Sequence, residues 1–550
     1  MTSAGEEWAA EVEALTRRLM AINSVSPGAG ELALAREILT ILTEGDVGAG
    51  AYAGVALEAI PGDAHGRANV WAFVRGSSPR TVALTGHFDT VGYDDYGALE
   101  PYARDPDALA AHLDELTAMT PGLAEQIAGM EHDLLFGRGS VDMKSGVAIH
   151  LAIMRRAARL AREGHLPFSL VLLTSPDEEN ESAGVLAGVE VLRRLRDREG
   201  LTYLGGINTD TTLPRYPGDP HRYIYTGTIG KVLPSFLVVG REAHVGEPYL
   251  GADANYLAAW LIRALSMNPD LCDTVGAERT PPPVTLHAAD LKERYDVQLP
   301  FVSHFYLNVL TMTSTPAQLL ARLRAETERA LGEALAALDA SERVWRGPGG
   351  QVTPREGRIY TWEDLRAQAV RAHGADRVAQ ALREASAGAA ADSRARSVRM
   401  AWALWRLAGV AGPAVVLYFS PPWYPHFSLA PSSPLSQAVD ALIAAHPDDR
   451  LARIHYYPYI SDMSYLRLDP ENDPAALMSN MPLWQASDGE AIPGGYALPL
   501  DAIRALGLDA VNLGPYGWGP HQHSERVVRS YSFERVPALV WELINRLAGE

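Results

Sequence analysis

The feature that most constrains this chain is a series of short, uninterrupted apolar runs, each ending at once in acidic, histidine or hydroxyl side chains. TVALT (Thr81 to Thr85) runs into GHFDT, FSLVLLT (Phe168 to Thr174) into SPDEEN, YLGGIN (Tyr203 to Asn208) into TDTT, and DAVNLGP (Asp509 to Pro515) into YGWGPHQHSE. Runs of this kind are how parallel strands covered on both faces read in sequence. Helical stretches from Lys144 to Ala161 and from Ala183 to Leu195 separate them. In an open α/β sheet ligands collect beyond the carboxyl ends of the strands, so the polar clusters are where chemistry is expected.

Near Thr226 the pattern changes to strand (Val232 to Gly240), helix (Ala252 to Ser266), strand (PVTLHAAD), strand (Ser303 to Thr311) and long helix (Pro316 to Leu338). With Pro413 to Phe419 as the closing strand this is a β-α-β-β-α-β order, the plan of a small ferredoxin-like domain. The α/β pattern then returns, with helices Leu435 to Ala445 and Leu500 to Leu506, strand ARIHYY, and a terminal helix from about Val536. The expected fold class is therefore α/β, an open, mostly parallel-sheet domain interrupted by a smaller α+β domain. The expected boundaries are 1–225 and 425–550 for the larger domain and 226–424 for the smaller, with a largely helical insertion at about 340–412.

The 48 Lys and Arg against 67 Asp and Glu give a net charge of −19, which disfavours a nucleic-acid partner. The single cysteine, Cys272, excludes an internal disulfide and a Cys-rich zinc site, so any metal must be held by His, Asp and Glu. A cytoplasmic setting fits that cysteine usage. The first 22 residues alternate apolar and charged groups at helical spacing and do not read as a signal peptide. The most lipid-like run, Met400 to Phe419, is broken by Arg406, Gly412 and Pro413, so no membrane span is expected.

His87 and Asp89, two apart in extended chain, point the same way, which lets Asp89 hold one tautomer of the His87 imidazole. Asp177, Glu178 and Glu179 follow the next run, and Asp210 the third. His521, His523 and Glu525 follow the fourth, and GRGSVDMKSG sets Asp142 at the start of a long helix. Alone, each segment has a bland reading: a surface His-x-Asp, a solvated acidic loop, an acidic residue near a helix N-terminus. If the strand ends are neighbours, however, these carboxylates crowd one cleft and cannot all stay ionised unaided. Two divalent ions would resolve this, with His87, Asp142, Glu179, Asp210 and His521 as ligands and one carboxylate bridging.

In that order, TGHFDTV, GRGSVDMKSG, SPDEEN, INTDTT and GPYGWGPHQHSE, with SDMSYL (Ser461 to Leu466) and REAHVGEP around His244, resemble the motifs of the M20 metallopeptidase and deacylase family. The likeness spans nearly the whole chain and is nearest to an arginine-utilisation branch. It implies a catalytic domain with an inserted lid and dimerisation domain, and so a homodimer through that domain. By the same resemblance His87 and Asp210 bind one zinc, Glu179 and His521 the other, and Asp142 bridges them, with manganese or cobalt as alternative metals. Glu178 becomes the general base, Asp89 orients His87, and His244 stabilises an oxyanion. The implied activity is hydrolysis of an amide bond in a small substrate, an N-acyl amino acid or short peptide, with a link to arginine catabolism. The alternatives are a catalytically silent relative that binds an amino-acid-like ligand, and a dinuclear phosphoesterase. Two features depart from the family pattern and bear on substrate preference. Asp89 and Asp142 are 53 residues apart, and Asp210 sits in TDTT rather than a Glu-Pro setting.

Overall fold

Apolar runs with no polar face demand cover on both sides, and in the computed structural model, which describes residues 4–45, 47–387, 392–485 and 491–549, they receive it. Ser169–Ser175 is buried along its whole length, and Arg80–His87 from Thr81 onward. These two strands pair in parallel, and Thr202–Asn208 adds to the other side of Arg80–His87, also in parallel. Ala510–Asn512 continues the parallel run. Arg222–Tyr225 and Leu451–Ile454 complete one edge, while Ala68–Val74 and Gly54–Ala59 form an antiparallel pair at the other, giving eight strands in all. The helices Ala4–Met20, Lys144–Arg162 and Val536–Ala548 pack against one another, and Ala183–Glu199 packs on Ser169–Ser175.

The register decides where the chemistry falls. His87 lies opposite Ser175, and Thr85 opposite Asn208, so the segments after all three strands emerge side by side at one edge. A second, three-stranded sheet joins Leu134–Phe136, Arg526–Val528 and Gly517–Trp518, bringing the motif after Asp133 to the one around His521. Along the chain between Arg80–His87 and that sheet, residues 94–133 fold into short helical turns with their own apolar core. Tyr96, Leu99, Leu109, Leu116, Leu123 and Ile127 pack there with Tyr516 and Val528.

The chain divides into two compact units, Met1–Thr228 with Phe427–Leu468 and Pro499–Glu550, and Ile229–His426 with Asp469–Leu498. The segment Asp469–Leu498, read from sequence as part of the larger domain, groups with the smaller unit. There Asn480 Oδ1 accepts a hydrogen bond from the Glu363 N–H, and Tyr496 Oη accepts one from the Trp423 N–H. The smaller unit is a five-stranded sheet in the order 284–290, 302–311, 230–239, 414–424, 358–361. The first four strands give the ferredoxin-like arrangement. The fifth, Arg358–Thr361, runs parallel to Ala414–Tyr424 and lies inside the segment expected to be loop and helix. The rest of that segment is helical at Trp362–His373, Ala375–Ser386 and Ser393–Ala408, and the preceding helix runs on to Arg346. Among the described residues no helix is long and apolar enough to cross a membrane.

The helix Lys144–Arg162 approaches the sheet closely at Gly146, where an added Cβ would lie 1.9 Å from the Thr209 carbonyl oxygen. That oxygen belongs to rigid backbone next to Asp210, so Gly146→Ala must push helix and strand end apart. The expected loss is about 1–3 kcal/mol, read by urea denaturation. An unchanged midpoint would contradict the contact.

Candidate metal centre

Strand ends and one helix start deliver the expected side chains to one place in the larger unit. Three overlapping groups, His87/Asp142/Asp210, Asp142/Glu179/His521 and His87/Glu178/Glu179, each have donor atoms within 4.8 Å of one another. His87 Nε2 is 3.2 Å from Asp142 Oδ1, and His521 Nε2 is 3.3 Å from Asp142 Oδ2 and 3.0 Å from Glu179 Oε1. The two oxygens of Asp142 thus face different histidines, the disposition a bridging carboxylate needs. Glu178 comes within 3.8 Å of His87 Nε2. His244 is carried by the smaller unit on an exposed turn, where its Nδ1 accepts a hydrogen bond from the Gly246 N–H.

The buried side chains of this cluster are braced. Asp89, fully buried, accepts the backbone N–H groups of Glu178 and Glu179 at 3.2 and 3.1 Å, and its Oδ1 is 3.5 Å from His87 Nδ1. The carboxylate fixes the acidic turn and, with the Asp89 carbonyl oxygen 3.3 Å from His87 Nδ1, directs His87 Nε2 at the cluster. Asn512 was not singled out from the sequence. Its Oδ1 accepts from Asp210 N–H at 2.8 Å and its Nδ2 donates to Asp210 O at 2.9 Å. Glu525 accepts the N–H groups of Val141 and Asp142 and pairs with Arg138 at 3.0 Å. Buried Arg67 pairs with Asp177, whose Oδ2 also accepts from Ala183 N–H, and this holds Asp177 in a left-handed conformation at φ 74°. The signal for these braces was faint: an Asn within an apolar run, Arg67 outside every motif, and Arg138 inside GRGSVDMKSG with its acid, Glu525, far along the chain.

Electrostatics show how strained the cluster is on its own. Burial, then the charge of Asp142, pushes Asp210 up to about 7. Burial raises Glu178 well above the carboxylate range and Glu179 more modestly. Burial likewise lifts Asp462, from SDMSYL, to about 8, and its charge bears on Glu178. For His87 and His521 burial favours the neutral ring, yet the surrounding carboxylates overcome it and raise both. Two histidines cannot neutralise so many acids. The set of two imidazoles and several carboxylate oxygens, one of them central, suits a pair of divalent ions such as zinc, manganese or cobalt.

Peptidase family M20/M25/M40 matches residues 108–426, more than half of the chain. The chain belongs to this family. It is 34% identical over 544 residues to YqjN of Bacillus subtilis strain 168, covering 98% of this chain and 96% of that one. It is 31% identical over 545 residues to RocB of the same organism, covering 97% and 94%. In fold it is similar to the aminopeptidase PepT of Bacillus cereus, with a TM-score of 0.53 at 14% identity over 98% of this chain and 99% of PepT. Membership makes this M20 chain a hydrolase by kinship and agrees with the α/β catalytic architecture read from the sequence.

The raised carboxyls give a pH signature. In the folded, metal-free protein Asp210, Glu178, Glu179 and Asp462 keep protons that the unfolded chain releases near pH 4, so stability falls as pH rises toward 7 to 8. The raised histidines act in the same direction above their unfolded pKa of about 6.5, while Asp142, lowered by His521 and His87 against the effect of burial, acts oppositely only in acid. With chelator present, the melting temperature is expected to be lower at pH 8 than at pH 6, and excess divalent ion should close the gap. A melting temperature indifferent to both pH and metal would contradict the electrostatic account.

Proposed function

We propose that this chain is a metal-dependent hydrolase that cleaves an amide bond in a small substrate, an N-acyl amino acid or a short peptide. The observation that carries the reading is Asp142, with one oxygen toward His87 and the other toward His521. In this reading His87 and Asp210 hold one ion, Glu179 and His521 the other, and Asp142 both. Zinc is the proposed metal, with manganese or cobalt able to use the same donors. Two such ions, when bound, supply Lewis acidity that polarises a carbonyl and lets water ionise near neutral pH.

The chain's own groups do the rest. Glu178 is buried, carries a raised proton affinity and stands beside His87, which fits a general base that accepts a proton from water and then returns it to the departing amine. Asp89 does not touch substrate. It orients His87 and fixes the turn that presents Glu178 and Glu179. His244 is proposed as the oxyanion donor that the family resemblance implies, and a homodimer through the smaller unit is part of the same proposal. Likeness to RocB supports a place in arginine catabolism, with acylated arginine or ornithine, or an arginine-containing dipeptide, as substrate.

Glu178→Gln should keep its metal, measured by elemental analysis, while turnover falls by at least about 100-fold. Asp142→Ala should lose metal as well as turnover. The assay is release of amine from acyl-arginine, acyl-ornithine and arginine dipeptides by metal-loaded protein. Full activity in either variant removes the assignment. Metal binding without hydrolysis of any amide in the panel would favour a silent binding protein.

A further inference from the structure

Of the five proposed ligands His521 is held least by its surroundings. Its side chain is 51% exposed, against 2% for His87, 12% for Asp142 and 7% for Glu179. Its backbone sits at φ 62°, a conformation uncommon outside glycine. A ligand in an exposed, strained turn needs an external hold, and the turn receives one from the helical segment 94–133, which fills the long gap between Asp89 and Asp142. His523 Nε2 is 2.7 Å from Thr120 Oγ1. The same hydroxyl lies 3.2 Å from Leu116 O, and His523 Nδ1 is 3.9 Å from Asp95 Oδ2, so the imidazole meets the segment through both ring nitrogens. The buried ring of Tyr96 meets the His523 ring edge to face at 6.4 Å. On either side, Arg138 joins Asp95 at 2.7 Å to the Gln522 carbonyl at 3.3 Å, and Arg526 donates to Gln126 at 2.8 Å.

We propose that residues 94–133 are a clamp that sets the His521 ligand, with His523 and Thr120 as positioning residues that hold the turn from outside the site. The second histidine of HQH is then neither a ligand nor idle. Its imidazole hooks the metal-binding turn onto a segment whose apolar core includes Tyr516, five residues before His521. The clamp acts on the ion held by Glu179 and His521 and leaves the one held by His87 and Asp210 alone. This rests on the proposed ligand assignment.

The test is calorimetric titration of zinc into full-length protein stripped by chelator, with melting temperature measured in parallel. Wild type should show two binding events; their absence would sink the ligand assignment itself, before the clamp is in question. Thr120→Val and His523→Phe should each weaken one event by about tenfold, the scale of losing an orienting partner to a ligand, and leave the other within twofold. Thr120→Ser, which keeps the hydroxyl, should restore it. Leu116→Ala, which thins the segment's core but keeps the hook, should lower the melting temperature more than it changes the ratio of the two affinities. Two unchanged events in both hook variants, or equal weakening of both events that merely follows the melting temperature, would overturn the clamp.

Discussion

Several carboxyl groups at the carboxyl edge of one sheet, in an interior that excludes water, cannot all keep their charge without cations beside them. The protein does not avoid this arrangement. It builds it from four strand ends and a helix start, and sets Asp142 with an oxygen toward each of two histidines. Much else in the larger unit can be understood as the framework that keeps these mutually repelling groups in place.

That framework relies on a few buried polar groups bonded to the backbone of the site segments. Asp89 uses its oxygens on two backbone amides, Asn512 pairs with both backbone groups of Asp210, and Glu525 caps the turn before Asp142 while neutralising Arg138. Such braces leave the clustered side chains little freedom, the preorganisation an ion site needs. The exception is His521, which is exposed and borrows its rigidity from a neighbouring segment.

What the sequence made legible was whatever depends on local pattern. Three of the buried strands, Arg80–His87, Ser169–Ser175 and Thr202–Asn208, lie close to where apolar continuity places them, because a strand covered on both faces has no polar position to confuse the reading, while the fourth, Ala510–Asn512, is shorter than its run. The helix Leu500–Leu506 falls where its pattern ends. Less visible were elements without a distinctive period: the antiparallel edge Gly54–Ala59, the four-residue strand Arg358–Thr361, and the return of Asp469–Leu498 to the smaller unit. The last two are set by contacts far along the chain, and Gly54–Ala59, though it pairs with the neighbouring Ala68–Val74, is half-exposed with no clean alternation to mark it. At the site, the side chains with metal-binding chemistry were readable from their places after the strands. The braces Asn512, Arg138 and Arg67 were not, since the acids the two arginines meet, Glu525 and Asp177, lie far from them along the chain.

The account stands or falls on whether two ions sit on opposite sides of one carboxylate. Crystals of zinc-loaded protein measured at the zinc absorption edge would show this directly through anomalous scattering. The expected map has two peaks, one against His87 and Asp210, the other against Glu179 and His521, with Asp142 touching both. A single peak, or peaks away from these side chains, would contradict it.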